Sequence, residues 1–165
     1  MAAKASQTKA SVVDGEPVII MERMVAAKPE AVRRAWENPE AFARWMGPRQ
    51  ASITMQSSDF RVGGMRRYIM HVPGAGDFPN RVVYRELKAP ARMAYCHGGD
   101  IDNDPNAFEV VVTFAAKDGG TLVTIHSTFP SIEARDGVVS FGAIEYGKSS
   151  WDNLAAFAET DARKA

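Results

Sequence analysis

Residues 141–158 read FGAIEYGKSSWDNLAAFA, and this stretch decides the fold. Apolar and small residues recur in it every three or four positions, the spacing that places side chains on one face of a helix. The residues on that face are Phe141, Ile144, Gly147, Trp151, Leu154, Ala155 and Ala158. An apolar helix face must be buried against another element, so we expect this helix to lie across a sheet.

The region between residues 51 and 129 consists of strand-like segments and turns. In its clearest strand, residues 108–114, apolar side chains alternate with Glu109, Val111 and Thr113. Lys117 to Gly120 has the composition of a hairpin turn. With an earlier strand at residues 17–25, we predict six or seven antiparallel strands.

Two short helices are predicted after the first strand. Pro29 suits the first turn of a helix, and Asn38 is placed to cap a second helix that begins at Pro39. Gly47-Pro48 ends that second helix. Near the other end of the chain, Gly137 and Gly142 are predicted to divide the helical region into a short helix and the long one.

These elements together predict an α+β fold, with a curved antiparallel sheet wrapped on a long C-terminal helix. We expect one domain at residues 17–161, a flexible N-terminal tail at residues 1–16 and a C-terminal tail at residues 162–165. A sheet covered by one long helix can leave a cavity between the two layers, which favours small-molecule binding.

Composition narrows the function classes. The chain has 165 residues, a formal net charge of +0 and a hydrophobic share of 45%. Balanced charge gives no electrostatic case for nucleic acid or for an anionic membrane surface, and no apolar stretch approaches the ~20 residues of a membrane span. Cys96 is the single cysteine, which excludes an internal disulfide and fits a cytoplasmic location.

Metal and catalytic motifs are not predicted. The histidines His71, His97 and His126 fall on three different strands without a short ligand spacing. Residues 100–104 space three aspartates as a calcium loop does, but Pro105 stands where glycine is required and Val111 where an acid is required. We therefore predict no metal, no cofactor and no catalytic residue.

The strand and helix faces define a candidate ligand site. Six side chains of the site are expected to point from the sheet toward the helices: Tyr68, Met70, Tyr84, Glu86, Tyr95 and His97. Ser127 is expected to share this inward direction. Six are expected to meet them from the helical side: Phe42, Trp45, Phe141, Ile144, Glu145 and Trp151. Each apolar member alone suits a packed core, but acids, tyrosines and a histidine need polar partners that a cavity can supply. The strand faces rest on alternation, and one bulge would invert a face.

Several motifs resemble a known family. The pattern Val32-x-x-Ala35-Trp36-x-x-Pro39-x-x-x-x-x-Trp45-x-Gly47-Pro48 is similar to the opening of the homologues of the heat-shock-protein-90 ATPase activator, in the START-like (SRPBCC) superfamily. Later segments that agree are Gly63-Gly64, residues 83–87 before Pro90, Gly120-Thr121 and Phe129-Pro130-Ser131. Two positions depart from the pattern: Met46 stands where many members have tryptophan, and Trp151 stands where leucine is usual.

The resemblance implies a helix-grip fold and leaves three functions open. The first is binding of a small hydrophobic or aromatic molecule without catalysis. The second is a cyclase or hydrolase that uses Glu86 or Glu145 as a pocket carboxylate. The third, implied by the family name alone, is a module of the stress response that stimulates a chaperone ATPase. The predicted partners are a small apolar or aromatic molecule and a chaperone, with the chain a monomer or homodimer.

Overall fold

An eight-stranded antiparallel sheet is the frame of this fold in the computed structural model, which describes residues 7–164. The strands are β1 (Lys9–Val12), β2 (Val18–Val25), β3 (Ser52–Ser58), β4 (Met65–Val72), β5 (Gly76–Lys88), β6 (Arg92–Gly99), β7 (Phe108–Lys117) and β8 (Gly120–Thr128). Their order in the sheet is β1-β2-β8-β7-β6-β5-β4-β3, so only the contact between β2 and β8 joins strands that are distant in sequence. This architecture confirms the predicted α+β helix-grip fold.

Four helices complete the fold: α1 (Pro29–Glu37), α2 (Pro39–Trp45), α3 (Ile132–Ser140) and α4 (Ala143–Lys164). The predicted cap is present, because the side-chain oxygen of Asn38 accepts from the backbone N–H of Glu40 at 2.9 Å and of Ala41 at 3.1 Å. Helix α3 continues through Gly137, and the chain breaks only at Gly142, whose φ of +94° favours glycine. The break predicted at Gly137 is therefore wrong.

The ends of the chain differ from the prediction. Strand β1 lies inside the range expected to be a tail, where Lys9 pairs with Glu22 and Val12 with Ile19. Its sequence, KASV, is only four residues long and buries little side-chain surface, so its order depends on backbone pairing with β2. This strand raises the count to eight. Helix α4 runs to Lys164, past the predicted end at residue 161, and residues 1–6 and 165 lie outside the described residues.

Three tryptophans lie at the centre of the packed core. The ring of Trp36 stacks on Trp151 of α4 at a centroid distance of 5.4 Å and meets Trp45 edge-on at 5.1 Å. Beside them, the fully buried Arg66 of β4 donates to the carbonyl oxygens of Trp36 at 2.8 Å and Glu37 at 2.7 Å. A cation at the carboxyl end of α1 satisfies carbonyls that the helix itself leaves free, so Arg66 fixes α1 on the sheet.

Candidate functional site

A cavity of about 490 Å³ lies between the amino-terminal half of α4 and the sheet. From the helices it is lined by Val138, Ala143, Tyr146, Gly147, Ser150 and Trp151. From the sheet it is lined by Ile19, Met21, Met70, Val72, Phe78, Asn80, Tyr95, His97, Phe108, Val110, Ile125 and Ser127. Met46, Pro48, Ala75 and Phe129 complete the wall from connecting segments. Most of these side chains are apolar, which is the usual character of a small-molecule site.

The mouth of the cavity lies beside the β4–β5 hairpin. Ala75, Phe78 and Tyr146 line the cavity and are also exposed at the surface of the protein. Other lining side chains are buried, among them Val110 and Ile125. The cavity therefore reaches solvent beside the hairpin.

Four of the twelve predicted site residues line this cavity: Met70, Tyr95, His97 and Trp151. Trp151 contributes to both parts of the interior, since it lines the cavity and stacks on Trp36. Met46, the other position that departs from the family pattern, lines the cavity too. Both unusual residues thus shape the wall that a ligand would meet.

Four other predicted residues are buried in the aromatic core next to the cavity. Phe42 packs edge-on against Trp45 and Tyr68, each at a centroid distance of 5.2 Å. Trp45 donates from its indole N–H to the carbonyl of Ala35 at 2.8 Å, and the ring of Tyr84 packs on that of Phe60. These side chains point inward as predicted, but the gap between α1, α2 and the sheet is filled, so they do not line the cavity.

The prediction for Glu86 is wrong because of a bulge. Tyr84 pairs with Tyr95, but Glu86 pairs with Ala94, so Arg85 is an extra residue in β5 and the faces invert after it. Glu86 consequently points away from the helices and forms ion pairs with Arg92 and Lys88, each at 3.3 Å. Hydrogen bonds from Arg92 and then Lys88 hold the pKa of this carboxyl below its usual range.

The remaining three predicted residues lie near the start of α4. Phe141 is 86% exposed because it caps α3 and precedes the break at Gly142, so its side chain is out of phase with the buried face of α4. Ile144 is partly buried against the core, and Glu145 is exposed. None of the three lines the cavity. The pocket carboxylate required by the cyclase or hydrolase alternative is thus not present among the described lining residues.

One polar cluster lies in the cavity wall. His97 Nε2 is 3.0 Å from the amide oxygen of Asn80 and 3.3 Å from the hydroxyl of Tyr68. Enclosure within the protein lowers the pKa of His97 to about 4, so the ring is neutral near pH 7. Burial also raises the pKa of the Tyr95 hydroxyl, which therefore stays protonated.

The sequence-based site missed several lining residues on β2, β7 and β8. Met21, Phe108 and Ile125 alternate correctly for inward-facing positions, but the same alternation describes any core strand. Ser127, which is expected to point inward but is not one of the twelve predicted site residues, also lines the cavity. Asn80 was missed because the hairpin extends β5 well before residue 81.

The aspartate loop has structural partners. Asp100 forms ion pairs with Arg67 at 2.6 Å and Arg81 at 3.0 Å, and Asp104 accepts from the backbone N–H of Gly99 at 2.8 Å. Within residues 7–164, no group of three histidine, cysteine or acidic side chains is arranged to hold a metal ion. In the same part of the chain, no helix is both long and apolar enough to cross a membrane.

An antiparallel sheet that encloses a pocket beneath a long C-terminal helix defines a helix-grip domain of the START-like (SRPBCC) superfamily, a ligand-binding type of domain. Within that class, the chain belongs to the family described as "Activator of Hsp90 ATPase homolog 1-like protein", whose model matches residues 26–159. No curated protein matches the sequence significantly.

Solved bacterial structures share the fold. A protein from Arthrobacter aurescens is similar with a TM-score of 0.85 and 21% identity, over 92% of this chain and 91% of that one. Protein Ms6760 from Mycobacterium smegmatis has a TM-score of 0.82 and 22% identity, over 90% and 94% of the two chains. Protein NE0264 from Nitrosomonas europaea has a TM-score of 0.79 and 20% identity, over 90% and 98%. At these identities the likeness shows the fold alone.

Proposed function

We propose that this protein binds a small hydrophobic or aromatic molecule in the cavity beneath α4 and does not transform it chemically. The observation that carries the proposal is the cavity itself, about 490 Å³ in volume and lined mainly by apolar side chains. This volume falls within the range of roughly 300–1,000 Å³ that is typical of small-molecule sites. Moving apolar ligand surface from water into such a pocket favours binding by ~25 cal/mol for each Å² buried.

The positions of the two candidate acids support binding rather than proton transfer. Glu86 lies on the outer side of the sheet in ion pairs with Arg92 and Lys88, and Glu145 is exposed. General acid–base catalysis needs a group within hydrogen-bond reach of the substrate. A molecule in the cavity would not reach either carboxylate.

The proposal is tested by titrating the protein with phenylnaphthylamine, an uncharged fluorophore that brightens in apolar surroundings. Ser127→Phe places a ring in the cavity, and we expect it to weaken binding at least about tenfold. The matched control is Thr128→Phe, which adds the same ring at the next residue, on an exposed position. Equal binding by the wild type and Ser127→Phe would contradict the proposal. Native mass spectrometry of the freshly purified protein would then identify any retained molecule.

Stimulation of a chaperone ATPase is a second candidate, supported by the family match over residues 26–159. A pull-down with the chaperone, combined with an ATPase assay on the mixture, tests it. If the ATPase rate rises and Ser127→Phe stimulates equally, the chaperone contact is independent of the cavity. The cytoplasmic location, the link to stress response and the monomeric or homodimeric state stay predictions.

A further inference from the structure

Two polar atoms in the cavity wall have no protein partner. Among residues 7–164, neither the Tyr95 hydroxyl nor Nδ1 of His97 has a hydrogen-bond partner. In the same range, the fully enclosed side-chain atoms without a hydrogen-bond partner belong to Arg23 and Arg33 only, so neither of the two cavity-wall atoms is fully enclosed. The Tyr95 hydroxyl and His97 Nδ1 are therefore in contact with open space, and because both residues line the cavity, that space is the ligand site.

The neighbouring hydrogen bonds determine what each atom offers. The side-chain N–H of Asn80 donates to the carbonyl of Phe78 at 2.7 Å, which turns the amide oxygen of Asn80 toward His97 Nε2. His97 Nε2 therefore carries the proton of the neutral ring and donates it to Asn80. That leaves Nδ1 with a free lone pair, while the Tyr95 hydroxyl is a free donor.

The cavity also lacks charge. No aspartate, glutamate, lysine or arginine is present among the described residues that line it. The nearby buried Arg66 is outside the lining, and its guanidinium already donates to Trp36, Glu37 and Ser58. An ionised ligand would lose its hydration here without gaining a counter-charge, which makes its binding unfavourable.

We infer that the cavity selects an uncharged apolar molecule that carries a hydroxyl group, held between Tyr95 and His97. This inference rests on the proposed function. Tyr95 and His97 lie two residues apart on the same face of β6, with ring centroids 6.5 Å apart. A ligand hydroxyl between them donates to His97 Nδ1 and accepts from the Tyr95 hydroxyl. The apolar body of the ligand then lies along Met21, Ile125 and Trp151.

The inference is tested by displacing phenylnaphthylamine with three molecules that share the naphthalene ring system. The three are naphthol, its methyl ether, which cannot donate a hydrogen bond, and naphthoate, which is charged at pH 7. We expect naphthol to displace the fluorophore at a concentration at least about tenfold lower than either of the others, since a polar site discriminates against an analogue that leaves its groups unpaired. Tyr95→Phe should reduce this preference several-fold, and because the hydroxyl has no protein partner, the variant should keep the wild-type melting temperature.

Tyr84→Phe is the matched control, because it removes a buried tyrosine hydroxyl that lies outside the cavity lining. It should leave the preference for naphthol unchanged. Equal displacement by all three molecules, or a preference for naphthoate, would overturn the inference while the proposed function stands. Equal loss of the naphthol preference in Tyr84→Phe and Tyr95→Phe would overturn the placement of the hydroxyl. Failure of phenylnaphthylamine to bind the cavity at all would remove the proposed function and the inference together.

Discussion

Replacing Gly147 by alanine tests how tightly α4 lies over the cavity. An added Cβ at Gly147 would lie 2.6 Å from Cε and 2.7 Å from Sδ of Met21, where ordinary contacts begin at 3.4 Å. The end of the Met21 side chain must therefore retreat by about 0.8 Å. Met21 itself lines the cavity, so open space is available for this movement.

Two opposing effects set the change in the free energy of unfolding that Gly147→Ala causes. Alanine in place of glycine inside a helix stabilises a protein by about 0.5–1 kcal/mol, and displacing a packed side chain costs about 1–3 kcal/mol. A flexible methionine places that cost at the lower end. We expect Gly147→Ala to leave the free energy of unfolding equal to the wild-type value or lower by ~1 kcal/mol. It should also weaken phenylnaphthylamine binding several-fold, because Met21 moves into the ligand space.

The structure supplies a matched control in Gly137 of α3, where an added Cβ meets no atom within 4 Å. Gly137→Ala should raise the melting temperature by about 2–4 °C, the helix-propensity gain expected in a domain of this size. In a Met21→Ala background, Gly147→Ala should recover the same gain, as a double-mutant cycle would show. An equal rise in melting temperature for Gly147→Ala and Gly137→Ala in the wild-type background would refute the close packing of Met21 on α4.

Three further predictions concern the interior. Trp151→Ala should lower the free energy of unfolding in urea by about 3–5 kcal/mol, because it removes the ring stacked on Trp36; a loss below ~1 kcal/mol would show that this stack is not packed. Arg66→Met should cost about 2–4 kcal/mol in the same assay, since it leaves the carbonyls of Trp36 and Glu37 without their donor; an unchanged urea midpoint would contradict the cap. The pKa of His97 falls from its ordinary 6.5 to about 4 on folding, so the unfolded chain binds the proton more readily. Stability should therefore fall by about 3 kcal/mol as pH is lowered from about 6.5 to about 4, and His97→Asn should remove that slope; the same slope in both proteins would contradict the burial of a neutral ring.

Local sequence patterns predicted most of the fold correctly. Asn38-Pro39 marks a helix start because a side-chain acceptor and a residue without an N–H both satisfy the first turn, and the structure has α2 there. Gly142 interrupts the helical region because it adopts a positive φ. Strand β1 was not predicted, since its order depends on hydrogen bonds to β2 rather than on its own side chains.

Less of the candidate site than of the fold could be predicted from the sequence. Alternation placed Tyr95 and His97 correctly on the inner face, but it could not anticipate the extra residue at Arg85 that turns Glu86 outward. It also could not separate the filled part of the interior from the open part. Phe42 and Tyr68 face the same interior as Tyr95, yet no open space adjoins them. The ring of Trp45 and the guanidinium of Arg66 pack against Phe42, whose ring in turn packs on Tyr68.

The sequence by itself determined most of the elements, their order and the long amphipathic helix that must cover a sheet, because these depend on local propensity and periodicity. Only the tertiary structure decided where the cavity lies and which side chains reach it. The reason is that open volume depends on how α1, α2 and α4 share the area of one sheet face, and that arrangement is fixed by contacts between residues far apart in the chain.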